Sequence, residues 1–203
     1  MQYFLYTDAE TDYLKKKDSR LAAAIERIGP IQRSVNPDLF TALISSIVSQ
    51  QISSKAYETV WNRMCTAITP LTPQALSAAS EETIQSFGMS FRKARYIQCA
   101  ARAVCNGDID LDSLRQKTDD EVCRILSSLP GIGTWTAEML MLFSMNRKNI
   151  FSYNDLAIHR GLRILYGHKK IDKALFEKYR RRYSPYGSIA SLYLWHIAGE
   201  AKT

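Results

Sequence analysis

Leu129-Pro130-Gly131-Ile132-Gly133-Thr134-Trp135-Thr136-Ala137 is the stretch that decides the fold. The segment before it carries the helix-start pattern Thr118-x-x-Glu121, and the segment after it is strongly apolar. Pro130 cannot continue a helix, and glycines permit backbone conformations that other residues resist. The sequence therefore predicts two helices joined by a very short turn.

A turn of this kind leaves bare backbone N–H groups at the start of the second helix. Such groups attract anions, because the positive end of the helix dipole lies there. We therefore predict a phosphate-binding turn, although an ordinary glycine-rich turn between helices has a similar composition. The residues of the predicted site are Gly131, Ile132, Gly133 and Thr134.

Helical signals continue on both sides of this turn. Asn36-Pro37 predicts an N-cap followed by proline at the first helical position. Strand-like alternation occurs only at residues 2–6, so the predicted fold class is all-α. Other helices are expected at residues 91–104, 134–145 and 155–166, with further starts at Thr72-Pro73, Ser80, Asp172 and Ser184-Pro185.

The composition is that of a folded protein, and we expect it to stay inside the cell. Of its 203 residues, 46% are hydrophobic and 23% are charged, which excludes a disordered chain. No apolar run is long enough to span a membrane, and the N-terminus lacks the basic and apolar regions of a secretory signal. We expect a cytoplasmic, nucleoid-associated protein in a prokaryote or a nuclear protein in a eukaryote.

The cysteines and histidines give no metal pattern. Four cysteines occur without a C-x-x-C spacing, and we expect them to be buried reduced thiols. Three histidines form no H-E-x-x-H motif.

The formal net charge is +7, which favours a polyanionic partner. The alternative is a merely soluble basic protein, since each basic run can be a solvated helix face. The runs are Lys15-Lys16-Lys17, Arg92-Lys93-x-Arg95, Lys169-Lys170 and Arg180-Arg181-Arg182.

In their order along residues 39–199, these motifs resemble the helix–hairpin–helix DNA glycosylases of base-excision repair. Within that family, the resemblance is closest to the bacterial 3-methyladenine DNA glycosylase II branch, which acts on alkylated purines. The matching motifs are Ile47-Val48-Ser49-Gln50-Gln51-Ile52-Ser53, Gly88-Met89-Ser90-x-x-Lys93-Ala94-x-x-Ile97, the hairpin from Leu129 to Met139, and Phe151-Ser152-Tyr153-Asn154-Asp155.

The resemblance implies a two-lobed helical fold with a cleft between the lobes. We expect one lobe at residues 36–150, with the hairpin at 118–145, and a second lobe from residues 1–35 together with 151–203.

The sequence departs from the family in three respects that bear on its activity. We expect no counterpart of the N-terminal β-rich domain found in larger members, which leaves the substrate range open. No four-cysteine iron–sulfur loop occurs, and Trp135 replaces the lysine of strand-cutting members.

Asp155 occupies the position of the family's catalytic aspartate. A carboxylate near C1′ would stabilise the sugar cation that develops as the base leaves, and it can orient the attacking water. The alternative is that Asp155 is only a helix N-cap. Asn154 and Asp172 are weaker candidates, and Asp172 is expected to cap the next helix.

The resemblance also implies a pocket for a flipped-out base. Trp135, Trp195 and Tyr153 would line it, with Gln50 beside them, because aromatic faces attract cationic alkylated purines. Gln51 would be the wedge that fills the gap left in the duplex. Core packing is the alternative for the aromatic residues, and solvated amides at a helix end are the alternative for the glutamines.

No cofactor is expected for catalysis. The family implies at most a structural Na⁺ or K⁺ at the hairpin, held by the backbone carbonyls of Ser127, Leu129 and Ile132. Side chains give no sign of such a site.

The expected function is hydrolysis of the N-glycosidic bond of alkylated purines such as 3-methyladenine and 7-methylguanine in duplex DNA. The base would be flipped out, the strand would stay intact, and the protein would act as a monomer. Two alternatives stay open, a glycosylase for another damaged or mismatched base and a non-catalytic DNA-binding module.

Overall fold

The computed structural model describes residues 2–200, and most of this range is helical, with strands limited to two pairs of residues. This confirms the all-α prediction. A short antiparallel pair joins β1 (Gln2–Tyr3) to β2 (Ser34–Val35). The α-helices are α1 (Asp8–Lys17), α2 (Ser19–Ile28), α3 (Leu39–Ser49), α4 (Ser54–Ala67), α5 (Pro73–Ala78), α6 (Glu81–Ser86), α7 (Phe91–Cys105), α8 (Asp119–Ser127), α9 (Thr134–Phe143), α10 (Leu156–Tyr166), α11 (Lys173–Tyr183) and α12 (Gly187–Glu200), with a 3₁₀ helix at Ser113–Gln116.

Several helix starts are capped as predicted. The hydroxyl oxygens of Thr72 and Ser80 accept backbone N–H groups of the helices that follow them. Thr118 and Glu121 form a reciprocal capping box at the start of α8. Asp172 accepts the N–H of Leu175 at 2.8 Å and so caps α11, as expected.

Two predicted helix starts are wrong. The N-cap of α3 is Asp38, whose carboxylate accepts the N–H of Thr41, and not Asn36. The Asn36-Pro37 pair therefore lies before the helix. Ser184-Pro185 lies before α12, and the N–H of Ser184 closes the end of α11 on the Arg180 carbonyl. The predicted strand at residues 2–6 shrinks to Gln2–Tyr3, since its partner strand is only two residues long.

The chain divides into two compact units. The hairpin unit is Asn36–Leu140, and the terminal unit combines the chain before Asn36 with the chain after Leu140. The sequence predicts the second boundary at residue 150. The structure places it inside α9, because the segment after Met141 bonds to the start of α12, where Ser188 donates its N–H to the Lys148 carbonyl at 3.0 Å.

Each unit has its own apolar core. In the hairpin unit α3 packs against α4 and α7, and α5 packs against α7. In the terminal unit α10 packs closely on α12 at Gly161, where a Cβ would lie 2.3 Å from the Leu194 carbonyl oxygen. This close approach fixes the position of α10, whose first turn carries the site described below.

The four cysteines are free thiols, as expected, but none of them is buried, which differs from the expectation. Cys99 lies on the side of α7 opposite Ala94 and Ile97, which are buried, and Cys105 is the last residue of that helix. Within residues 2–200, no helix combines the length and the hydrophobicity that a membrane span needs.

Candidate functional site

The predicted hairpin is formed by α8, a short turn and α9. Leu129 and Ile132 are buried and hold the turn against the core, and the N–H of Ile132 donates to the Leu129 carbonyl at 3.1 Å. Gly133 and Thr134 are exposed. The first N–H groups of an α-helix have no acceptor within the helix, so this exposed start of α9 can take an anion.

The two glycines of the turn serve different purposes. Gly131 has a φ of +84°, and a Cβ there would lie 2.2 Å from a ring carbon of Tyr96. Both the backbone conformation and the space therefore require glycine at this position. A Cβ on Gly133 would meet no atom within 4 Å, so its surroundings are open.

Gln50 links the end of α3 to the hairpin. Its Nε2 donates a hydrogen bond to the Gly131 carbonyl at 2.8 Å. Lys93 donates from Nζ to the Val48 carbonyl at 2.7 Å, and burial lowers the pKa of this lysine. These bonds fix the backbone on which Gln50 and Gln51 stand. The base-pocket role of Gln50 remains a prediction.

Gln51 has an exposed side chain and a φ of +55°, in the left-handed region. A non-glycine residue in this region is under strain of about 1–3 kcal/mol, and such strain is common at functional sites. The structure thus presents Gln51 at the surface on a firmly held turn. Its wedge role remains a prediction that this placement supports.

Trp135 lies in the first turn of α9 and is 44% exposed. An indole ring of this size is normally well buried, so core packing does not account for its position. Trp61, by contrast, is half-buried and stacks on Tyr57.

In the terminal unit, Asp155 is the N-cap of α10 and is 6% exposed. Its Oδ1 accepts the N–H groups of Ala157 at 2.8 Å and Ile158 at 3.0 Å. The N-cap interpretation is therefore correct as a description of the local structure. It does not exclude catalysis, because both capping bonds end on the same oxygen and hold the carboxylate in a fixed orientation.

Tyr153 lies near Asp155 in the sequence and is half-buried. Its ring meets the rings of His159 and Phe176 edge to face, with centroids 5.1 Å away in each case. His159 also hydrogen-bonds through Nε2 to the Tyr153 carbonyl at 2.7 Å. Tyr153 is thus firmly held by packing, and the predicted pocket role would require its remaining exposed surface.

Trp195 stacks on Phe143 with ring centroids 5.6 Å apart and stays partly exposed. It lines a cavity of about 360 Å³ that begins at the residues directly after Asp155. The complete lining is Leu156, Ala157, Arg160, Trp195, Ala198 and Gly199.

The sequence reasoning missed two features of this cavity. Arg160 contributes a cationic group to the lining, and Leu156 is 84% exposed although it is apolar. The spacing of Ala157 and Arg160, three apart on α10, could have indicated a shared face. Asn154, the weaker candidate, is exposed.

A helical hairpin that can hold phosphate, together with a buried carboxylate fixed at a helix start, defines a helix–hairpin–helix protein of the DNA-processing class. The chain belongs to the HhH-GPD superfamily of base excision DNA repair proteins, whose family model matches residues 44–185.

Individual relatives agree with this membership. A DNA-3-methyladenine glycosidase structure from Bacillus halodurans is 35% identical, has a TM-score of 0.90, and is matched over 100% of this chain and 94% of its own. DNA-3-methyladenine glycosylase 1 of Schizosaccharomyces pombe is 29% identical over 87% of this chain and 79% of its own. A 3-methyladenine DNA glycosylase from the same yeast, solved with abasic DNA, is 29% identical with a TM-score of 0.78, over 93% of this chain and 95% of its own.

Proposed function

We propose that this protein is a base-excision repair glycosylase that hydrolyses the N-glycosidic bond of alkylated purines in duplex DNA and leaves the strand intact. The observation that carries the proposal is the carboxylate of Asp155, buried and oriented by two backbone N–H groups at the start of α10. We further propose that the protein acts as a monomer without a catalytic cofactor.

Asp155 would act on the sugar. As the base leaves, positive charge develops around C1′, and a fixed carboxylate stabilises that charge without reorganising. The same group can orient the water that attacks C1′. Because α10 is locked onto α12 at Gly161, the carboxylate keeps its position during the reaction.

The hairpin would hold the DNA. Backbone N–H groups at the start of α9 bind a phosphate in any sequence context, so they position the duplex but do not select a base. The hairpin carbonyls of Ser127, Leu129 and Ile132 would hold the proposed structural Na⁺ or K⁺ ion. The Leu129 oxygen accepts the N–H of Ile132 and retains a second lone pair. A cation there would add positive charge beside the phosphate.

Strand cleavage is not part of the proposed reaction. Cleavage by this family's route needs an amine that forms a Schiff base with the sugar, and the hairpin has Trp135 where that lysine would be. Hydrolysis by water leaves an abasic site in an intact strand.

Alkylated purines are the proposed substrates for two reasons. The relatives in Bacillus halodurans and Schizosaccharomyces pombe are named for 3-methyladenine. A purine methylated at N3 or N7 is cationic, and exposed aromatic faces such as those of Trp135 and Trp195 attract a flipped-out cation by about 0.5–2 kcal/mol each.

The deciding experiment incubates the protein with methylated duplex DNA and identifies the released bases by chromatography. Release of 3-methyladenine or 7-methylguanine, with no covalent adduct after borohydride treatment, is the expected result. If only other damaged or mismatched bases were released, the protein would be a glycosylase with a different substrate class. DNA binding without any base release would make it a non-catalytic module.

A further inference from the structure

The positive charge of the chain is distributed unequally between the two units. The hairpin unit contains nine lysines and arginines and eleven aspartates and glutamates, which gives a formal net charge of −2. Residues 160–182 alone contain nine basic and two acidic residues, a net +7 that equals the charge of the whole chain. Long-range attraction of DNA must therefore come from the terminal unit.

These basic residues lie on the second half of α10, the loop after it, and α11. Phe176, Tyr179 and Tyr183 turn the apolar face of α11 inward, where all three are buried. Lys178 and Arg181, three residues apart, share the opposite, exposed face. The α11 basic surface, as we call it, consists of Arg163, Lys169, Lys170, Lys173, Lys178 and Arg181, all of them exposed.

Carboxylates do not neutralise this surface. The two ion pairs nearby use Arg180, which lies 3.3 Å from Glu177, and Arg182, which pairs with the buried Asp18. Throughout residues 2–200, no carboxylate lies within ion-pair distance of the six members of the surface. Soluble helix faces usually mix both signs of charge, so a merely solvated face does not explain this arrangement.

The distance from the Asp155 carboxylate to the far end of α10 matches the length of a short piece of duplex DNA. Helix α10 begins directly after Asp155 and has eleven residues, so its far end lies about 16 Å along its axis from the carboxylate. Base pairs rise about 3.4 Å each, so roughly five base pairs cover that distance.

We propose that the α11 basic surface binds phosphates of the duplex that flanks the reacting nucleotide, as a DNA contact separate from the hairpin. The identity of the ligand rests on the proposed function, because the ligand is the substrate DNA. Lysine-rich contacts to phosphates add affinity and speed association without choosing a base.

The test compares two variants that each lose two exposed helical charges. Lys178→Gln with Arg181→Gln changes the α11 basic surface, and Arg63→Gln with Arg102→Gln is the control in the hairpin unit, where both residues are exposed. Fluorescence anisotropy gives the affinity for a long undamaged duplex of three helical turns over a range of salt concentrations. Thermal melting shows that both variants fold.

For the long duplex, the slope of log affinity against log salt should fall by about 2 in the surface variant, since each phosphate contact contributes about 0.9. Affinity at about 0.1 M salt should fall roughly 10- to 100-fold. The control should keep the parental slope.

An unchanged slope for the long duplex would overturn the proposal. An equal loss in the control would assign the effect to net charge, and that result also contradicts it. These measurements use undamaged DNA, so they stand apart from the base-release experiment. The proposal for the α11 basic surface can therefore be correct when the proposed chemistry is wrong, and the proposed chemistry can be correct when the proposal for the surface is wrong.

Discussion

Gln50 donates a hydrogen bond from Nε2 to the Gly131 carbonyl at 2.8 Å, across 81 positions of sequence. The bond joins the turn after α3 to the hairpin turn, which holds the N–H groups proposed to bind a phosphate. Two loops that act on DNA in the proposed function are thereby fixed to each other through one side chain.

Gln50→Ala should loosen the hairpin. Loss of the bond should lower the free energy of unfolding by about 0.5–1.5 kcal/mol and weaken binding to undamaged and damaged duplex by similar factors. Thermal melting and anisotropy measure these effects. A variant that binds undamaged DNA normally and fails only in base release would instead place Gln50 in the base pocket.

Gln51→Gly should distinguish the proposed wedge role of Gln51 from any role in stability. Glycine adopts a φ of +55° without strain, so the melting temperature should not fall. Base release should slow because nothing fills the gap behind the flipped base. Single-turnover assays on a damaged duplex measure this effect. Parental rates would show that Gln51 is only a solvated side chain.

Replacing the two turn glycines should give opposite phenotypes. Gly131→Ala should destabilise the protein by about 1–3 kcal/mol from the backbone alone, and the contact with Tyr96 adds to that loss. Gly133 has open surroundings, so a bulky residue there should fold normally but block the phosphate. Gly133→Leu should then bind damaged and undamaged duplex equally poorly. A loss confined to damaged DNA would contradict the hairpin's role as an anchor.

The sequence predicted the helical framework well because caps and apolar stripes are local. Thr118, Ser80 and Thr72 cap their helices through bonds that span only a few residues. The prediction from the sequence was wrong at Asn36-Pro37, because Asp38, two residues after Asn36, is the N-cap of α3. The Gln50–Gly131 bond, the strain at Gln51 and the cavity beside Trp195 depend on tertiary packing, which a local pattern does not encode.

Trp135→Ala and Trp195→Ala should impair release of cationic 3-methyladenine more than release of neutral hypoxanthine. Only the cation gains attraction from an aromatic face, and that attraction is about 0.5–2 kcal/mol. Arg160 lines the same cavity as Trp195 and opposes a cation, so the selective effect should be larger for Trp135. The rates at which each variant releases 3-methyladenine and hypoxanthine test this prediction. Equal losses for the two bases would indicate general damage to packing.

Asp155 both caps α10 and carries the proposed chemistry, and Asp155→Asn separates the two roles. Asparagine keeps the shape of the side chain, and its carbonyl oxygen can still accept the N–H groups of Ala157 and Ile158. The melting temperature should therefore stay close to that of the parent.

The substitution removes the negative charge that stabilises the developing sugar cation. Losing one well-placed electrostatic group commonly slows a reaction by about 10²–10³, and a group that also orients water costs more. Affinity for an abasic-site analogue should survive, and it should tighten if the carboxylate repels nearby phosphates.

Single-turnover release of 3-methyladenine, beside melting and abasic-DNA affinity, gives the full comparison. The expected result is a folded protein that binds DNA and scarcely releases base. Asp155→Ala is the matched variant that loses both the charge and the cap, so it should be slow and also less stable by about 0.5–2 kcal/mol. If Asp155→Asn released base at close to the parental rate, Asp155 would be a helix cap alone and the proposed mechanism would be wrong.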